Sequence, residues 1–347
     1  MMRYTTQAER IGAQKGAMLA TAIPKEVLGI TGKQHKMKKN MSRVIKFRRW
    51  LPYGGASTNA TTQNNWDVTA SAHLTSEGVT PNADNLSAQD ITVTMQQYSC
   101  LMMYTDVADD MYEDSLPEAE IEQVGRRMGL VREMIRYGAL RGCTNKFYAG
   151  GTSRSTVDQT ITLSLLRNIS KSLQGNRCEF ITRILKTSAN YATAPIEAGM
   201  LVFCHTDLEN DIRELPGFIP VPNYASGKVA HEAELGSCDR FRFITSPELK
   251  PVIDSGAAIG SSGFVSTGNS LNDVYPVIIV ADDAWGDVAL RGKESFDSVH
   301  IPVGKEDKSD PLSQRGYVGG KFYSAMFVQN DGWMAVAEVA CSDLDGL

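Results

Sequence analysis

Among the six cysteines and five histidines of this chain, Cys204, His205, His231 and Cys238 come nearest to a set of zinc ligands. Their spacing is not that of a zinc module, which needs ligands in close pairs. The carboxylates of Asp106, Asp109, Asp110, Glu113 and Asp114 could hold a hard cation. They lack the glycine and the every-second-position order of a calcium loop, so the run reads as a solvated acidic face. Gly32-Lys33, Gly227-Lys228 and Gly320-Lys321 each miss the upstream glycine of a phosphate loop. No GxGxxG follows a strand, and no serine stands in a GxSxG elbow. The acidic stretch 207–214 has the composition of an exposed helix. No residue is assigned as catalytic, cofactor-binding or metal-ligating, and the chain reads as a non-enzyme.

The charges that do carry information are distributed along the chain. Residues 1–49 hold 12 Lys/Arg and two Glu, a balance of +10; the other 298 residues hold 23 basic and 38 acidic, −15, which together give the −5 of the whole. The basic segment ends in KQHKMKKNMSRVIKFRRW. It reads as an extended or partly helical arm, steered onto an acidic neighbouring subunit. A phosphate-gripping nucleic-acid tail and a merely solvated tail are the alternatives. Lys36, Lys38, Lys39, Arg43, Lys46, Arg48 and Arg49 are its candidate contacts.

The element best placed to carry such an arm is the stretch SLPEAEIEQVGRRMGLVREMIRYGALRG, Ser115 to Gly142. Ser115 and Glu118 have capping-box spacing, Pro117 lies in the first turn, and Gly142 is a C-terminal stop. Acids crowd its start and arginines its end, opposing the macrodipole. At 1.5 Å per residue the helix is about 40 Å long. Ile121, Val124, Met128, Val131 and Ile135 form one apolar stripe, and Leu130, Met134 and Tyr137 a second. Gly125 and Gly129 fall on the polar side, where another backbone can approach.

Before the helix, 51–100 is rich in Thr, Asn, Ser and Ala. Trp66–Ala70 and Ile91–Met95 alternate as strands around a long polar loop. A lone hairpin is marginal in water, so this one is expected to rest on another subunit, with Glu77, Asp84 and Asp90 as acidic contacts. After the helix come a helical segment in 160–173, a strand at Met200–Cys204, and a short helix capped by Thr206 or Asp207. Strands at 240–245 and 274–281 follow, then an Asn330-Asp331-Gly332 turn joining Phe322–Gln329 to Trp333–Val339 as a hairpin. The six cysteines are scattered like buried thiols of a reducing compartment. No apolar run approaches the roughly 18 residues of a membrane span, and the N-terminus lacks a signal-peptide pattern.

Five stretches, in order, resemble the major capsid proteins of tailed bacteriophages, of the coliphage N-four type. They are LTSEGVTP (74–81), DITVTMQQY (90–98), VFCHTDLENDIR (202–213), ELGSCDRFRFITSPE (234–248) and DPLSQRGYVGG (310–320). The basic arm matches only in character. The resemblance implies an α+β chain with the Hong Kong ninety-seven capsid fold. Its parts would be an N-terminal arm (1–50), an E-loop (51–100), a first P-domain portion (101–159) with spine helix 115–142, an A-domain (160–290) and P-domain return strands (291–347). It also implies self-assembly as hexamers and pentamers into an icosahedral head around double-stranded DNA, in the virion, after assembly in the host cytoplasm. A portal protein and a separate scaffold or decoration protein would be partners, with no cofactor and no membrane. An encapsulin-like cargo shell shares the fold and is the alternative, with a DNA-binding protein and a soluble enzyme behind it. Removal of residues 1–49 is expected to leave a folded subunit that cannot assemble.

Overall fold

The computed structural model describes residues 26–50, 74–78, 80, 88–111, 116–185, 193–224, 229–259, 263–268, 270–291, 296–304 and 311–343. The strands are β1 (Lys33–Met37), β2 (Val44–Trp50), β3 (Ala88–Thr94), β4 (Gln96–Thr105), β5 (Lys146–Tyr148), β6 (Ile181–Leu185), β7 (Thr193–Cys204), β8 (Ile219–Pro220), β9 (Glu234–Cys238), β10 (Phe241–Thr245), β11 (Tyr275–Val280), β12 (Trp285–Leu290), β13 (Asp297–Ile301), β14 (Arg315–Val328) and β15 (Met334–Val339). The helices are α1 (Asp106–Met111), α2 (Leu116–Arg141), α3 (Leu163–Gly175) and α4 (Glu209–Arg213).

An eight-stranded sheet runs β5-β15-β11-β7-β10-β9-β8, with β6 on β7; a five-stranded sheet runs β1-β12-β14-β13, with β4 on β14. The larger sheet is buried on both faces, which explains the continuous apolar runs of its central strands. Met200, Val202, Phe243, Val277, Ile279 and Ala335 face α3 and α4. The alternate residues Leu201, Phe203, Ile244, Ile278, Val280 and Val336 face the end of α2 and residues Val27 and Leu28. The period-2 geometry of a strand thus feeds two cores from one set of residues.

One continuous antiparallel ribbon joins the sheets. β11 pairs with β15 in the larger sheet, and β12 pairs with β14 in the smaller. At the joint, Ala281 N–H donates to Trp333 O (3.0 Å), and the N–H groups of Gln329 and Asn330 both donate to Ala284 O (2.9 Å each). Asn330-Asp331-Gly332 is therefore a corner between sheets and not the hairpin turn that its sequence suggests. Asn330 caps the corner, its Oδ1 accepting from Gly332 N–H at 3.2 Å.

The spine helix lies on β4 and β14, with Val124 and Met128 packed against Tyr104, Val318 and Phe322. A side chain at Gly320 would strike Met128, so the close approach of helix and sheet requires glycine there. Its buried line differs from the predicted stripe: Leu116, Glu120, Val124, Met128, Gly129, Glu133, Arg136, Tyr137 and Leu140 are buried, whereas Ile121 is exposed. Ser115, with its proposed capping box, lies outside the described residues. Gly125 has open space beside it, while Gly129 admits the Glu26 side chain.

Among the described residues β3 pairs with β2, in register Val44↔Thr94 to Trp50↔Ala88, a pairing that the sequence did not suggest. Trp66–Ala70 lies outside the described residues. The described half of the basic segment is built into the body: β1 pairs in parallel with β12, and Val27 and Leu28 are fully buried. Removing 1–49 would strip β1, all of β2 but Trp50, and the core residues Val27, Leu28 and Met37, so that truncation does not separate folding from assembly.

Candidate assembly interface

The arm enters the body at a buried knot of charge. Glu133 is fully buried on α2, and its Oε1 accepts the N–H of both Val27 and Leu28 at 2.8 Å. Its Oε2 lies 3.4 Å from Arg136 Nη1, and Arg136 Nη2 reaches Asp287 Oδ2 on β12 at 3.3 Å. Arg132 donates to the same oxygen at 3.2 Å, and Ser324 Oγ on β14 donates to Asp287 Oδ1 at 3.5 Å. Two carboxylates and two guanidiniums thus neutralise each other out of water, the condition under which buried ions are tolerated. The knot leaves no room for a side chain at residue 29: a Cβ on Gly29 would lie 2.6 Å from Arg136 Nη1.

Glu26 is the charge in excess. Burial first, and Glu133 second, push its pKa up, while Arg136 and Arg132 pull it down. The residue as a whole is exposed, and it is the carboxylate, seated against Gly129 of α2, that loses water and whose ionised form is disfavoured in the folded state.

The E-loop ribbon is anchored at its base and open above. On one face Ile45, Phe47, Ile91 and Val93 pack with Met37, Val288, Ala325 and Phe327. Phe47 stacks on Phe327 (centroids 4.6 Å) and meets His35 at 4.8 Å. On the other face Val44, Lys46, Arg48 and Trp50 are exposed. Arg48 and Asp90, both candidate contacts, pair with each other within the chain: Nε to Oδ1 at 2.8 Å and Nη2 to Oδ2 at 3.0 Å. The hydrogen bond from Arg48 holds the Asp90 carboxyl below the usual range.

The other candidates are spread around that base. Arg43 Nε donates to Met95 O (2.9 Å), and Arg49 Nη1 donates to Asn330 Oδ1 (3.1 Å) at the sheet corner. Burial lowers the pKa of Arg49. Lys38 and Arg43 share a cleft of about 480 Å³ with Met95, Leu290 and Tyr323. Lys36, Lys38, Lys39, Lys46 and Glu77 are exposed; Asp84 lies outside the described residues.

A further apolar surface was not visible in the sequence. On the face of the smaller sheet away from α2, Leu101, Gly319 and Val299 stand in one cross-strand row, and Met103, Tyr317 and Ile301 in the next but one. Leu101 is 67% exposed. The signal that could have found it is Gly319: Leu101 folds over the place a side chain would take.

The zinc-type residues do not converge. His205 caps the turn before α4, its Nδ1 accepting Asp207 N–H at 3.2 Å, and the Cys204 and Cys238 thiols are buried. Burial pushes Cys204 and Cys341 up to about 12, so both are unreactive thiols. Among the described residues no group of three or more His, Cys, Asp or Glu could hold a metal, and no helix is long and apolar enough to cross a membrane.

No family model matches the chain. Its sequence is similar to the major capsid protein of Pseudomonas phage KPP21, 24% identical over 264 residues. That match takes in 70% of this chain and 65% of the relative, so the chain spans less than two thirds of the relative's length. Its structure is similar, across 99% of the chain, to a subunit from the head of Helicobacter pylori bacteriophage KHP40 (TM-score 0.60, 10% identity, 98% of that chain). It is similar over the same share to a subunit from the capsid of Ralstonia phage GP4 (TM-score 0.62, 10% identity, 96% of that chain). The fold is that of tailed-phage capsid subunits. The fold is of the Hong Kong ninety-seven type.

Two predictions follow from the knot. Glu133→Ala leaves Arg136 short of a partner and two buried N–H groups without an acceptor. It should cost about 3–5 kcal/mol in denaturant unfolding and speed amide exchange at Val27 and Leu28. For Glu26 the raised folded pKa sets the sign: above it both states are ionised and the folded one bears the burial penalty. As pH falls through that value the folded state takes up the proton first, so stability rises relative to Glu26→Gln. Melting temperatures of the two proteins should differ at pH 7, with Gln higher, and the gap should narrow as the pH falls, closing only below the ordinary glutamate value of 4.5.

Proposed function

We propose that the chain is the major capsid protein of a tailed phage, of the coliphage N-four type. Copies join as hexamers and pentamers into an icosahedral head around double-stranded DNA, and the protein acts in the virion. The observation that carries this reading is that the likeness to phage head subunits extends over 99% of the chain, from arm to last strand. The sequence match to the KPP21 protein supports it independently, over a shorter span.

The work is mechanical. A subunit stiffened by the spine helix and hinged ribbon presents limbs whose outer faces its own body leaves uncovered. The exposed side of β2, the Lys38–Arg43 cleft and the Leu101–Val299–Ile301 face are of kinds that a neighbouring copy would cover. Head-to-tail contact between unlike patches closes into rings. Interlocked interfaces of this sort bury more than about 2,000 Å² per contact. Lys36, Lys38, Lys39, Lys46, Glu77 and Asp84 are the proposed inter-subunit charges. Arg43, Arg48, Arg49 and Asp90 serve first to set the limb's shape within the chain. A portal protein and a separate scaffold or decoration protein complete the proposed set of partners, and the genome contacts the shell without sequence preference.

Electron microscopy of the purified protein tests this, with uniform polyhedral particles expected. Monomers or dimers under all assembly conditions would count against it, and protein cargo in place of DNA in particles from infected cells would favour an encapsulin-like shell. Deletion of residues 2–25, which spares Val27, Leu28 and β1, is expected to leave a cooperatively folding subunit whose particles are absent or malformed. Normal particles from that truncation would remove the arm from the assembly mechanism.

A further inference from the structure

The layer formed by α3 and α4 carries opposite charge at its two ends. Both helices pack on the same side of the larger sheet. At one end Arg167, Ser170, Lys171 and Gln174, spaced along a single face of α3, border a cleft of about 420 Å³ with Asp239 and Arg240 of the β9–β10 turn. Three cations surround one carboxylate there. Arg167 Nε lies 3.5 Å from Asp239 Oδ2, with 65% of the Arg167 side chain exposed. Arg240 donates to the Gln174 amide oxygen at 2.8 Å and lies over the Phe180 ring at 5.3 Å. Lys171 is exposed and has no ion-pair partner among the described residues. Each guanidinium is thus held in place, and the positive charge is left in surplus.

At the other end α4 presents Glu209 and Glu214. Glu209 pairs with Arg213 at 2.6 Å, and Glu214 accepts only a long 3.4 Å contact from the Asn210 amide. Asp207 beside them is occupied by the Tyr275 hydroxyl at 2.8 Å. The surplus here is negative. The two ends cannot meet in one subunit. Arg240 O accepts Met200 N–H at 2.9 Å, whereas the turn into α4 begins at Thr206. The extended strand between them separates the ends by about 20 Å.

A face with cations at one end and anions at the other can match the same face of another copy, in a two-fold pair or head to tail, and the ring-forming reading selects the head-to-tail arrangement. We propose that the Arg167–Lys171–Arg240 cleft of one subunit receives the Glu209–Glu214 face of the next copy, fixing the direction in which subunits follow each other round a capsomer. The proposal rests on the ring-forming reading above. It assigns to these charges the register and encounter steering that paired fields of opposite sign provide.

Charge exchange tests it. One chain carries Arg167→Glu with Lys171→Glu, a second carries Glu209→Lys with Glu214→Lys, and a third carries all four. Each pair alone places like charges together. It should raise the protein concentration needed for assembly by about tenfold or more. The fourfold chain inverts the sign of the contacts made by Arg167 and Lys171, with Arg240 unchanged, and should recover at least about threefold of the loss shown by either pair. Unchanged assembly by either pair, or a fourfold chain no better than the worse pair, would overturn the proposal. Subunit melting temperatures separate misfolding from misassembly. Should a reversal unfold the subunit, the neutral pairs Arg167→Gln/Lys171→Gln and Glu209→Gln/Glu214→Gln are expected to flatten the salt dependence of assembly, and an unaltered salt dependence would refute the contact. Loss of short-duplex DNA binding with assembly intact would assign the cleft to nucleic acid instead. If the unaltered protein forms no closed particles at all, it is the ring reading that fails.

Discussion

Arg136 sits where every major part of the subunit crosses. Its guanidinium joins Glu133 of the spine helix to Asp287 of β12, and Glu133 in turn holds the backbone of Val27 and Leu28. A buried ion pair is weak as a source of stability, since desolvation offsets most of the attraction. Its consequence is geometric. A carboxylate with two N–H donors at 2.8 Å and a guanidinium shared between two acids has few alternative arrangements in a dry interior. The spine helix, the root of the arm and the seam of the two sheets are thereby held in one relation. Displacing any of them strands a charge.

Around that point the molecule divides into a body that is complete and limbs that are not. The β11–β12 and β14–β15 ribbon carries one ladder of hydrogen bonds through both sheets, so force applied to one passes to the other. Of the β2–β3 ribbon, as far as the described residues go, one face is seated on this frame, through the Phe47–Phe327 stack. On the proposed shell reading, the frame would keep its shape while the limbs take their partners from other copies. The charge balance, +10 in the first 49 residues and −15 in the rest, suits the same purpose.

Much of the frame was legible. The spine helix was readable to within a residue at each end, because capping residues and apolar spacing are local signals. Met200–Cys204 and 274–281 announced themselves as strands by apolar runs, and 240–245 by the alternation of Phe241 and Phe243 with Arg240 and Arg242. What escaped was whatever depends on distant partners. Arg132 and Arg136 were read only as basic residues opposing the helix macrodipole, and nothing near Glu133 in the sequence points to Asp287. Asn330-Asp331-Gly332 has turn chemistry that suits a hairpin and a corner equally, and the choice is made by β11 and β12, about fifty residues earlier. Alternation marked 91–95 as a strand but carries no pairing information. The opposition of Arg48 to Asp90 and of Phe47 to Ile91 was the available clue to β2. The assembly contacts were the least readable, because the residues that would complete them belong to another molecule.

Hydrogen exchange on the free subunit and on assembled particles addresses the division most directly. Amides of β11, β14 and β15 should be protected in both. Those of β2 and β3 outside the Phe47 contact should exchange readily in the free subunit and slow by about a hundredfold or more on assembly. Equal protection of the ribbon in both forms would mean that the limb is complete within its own chain, and would contradict the account.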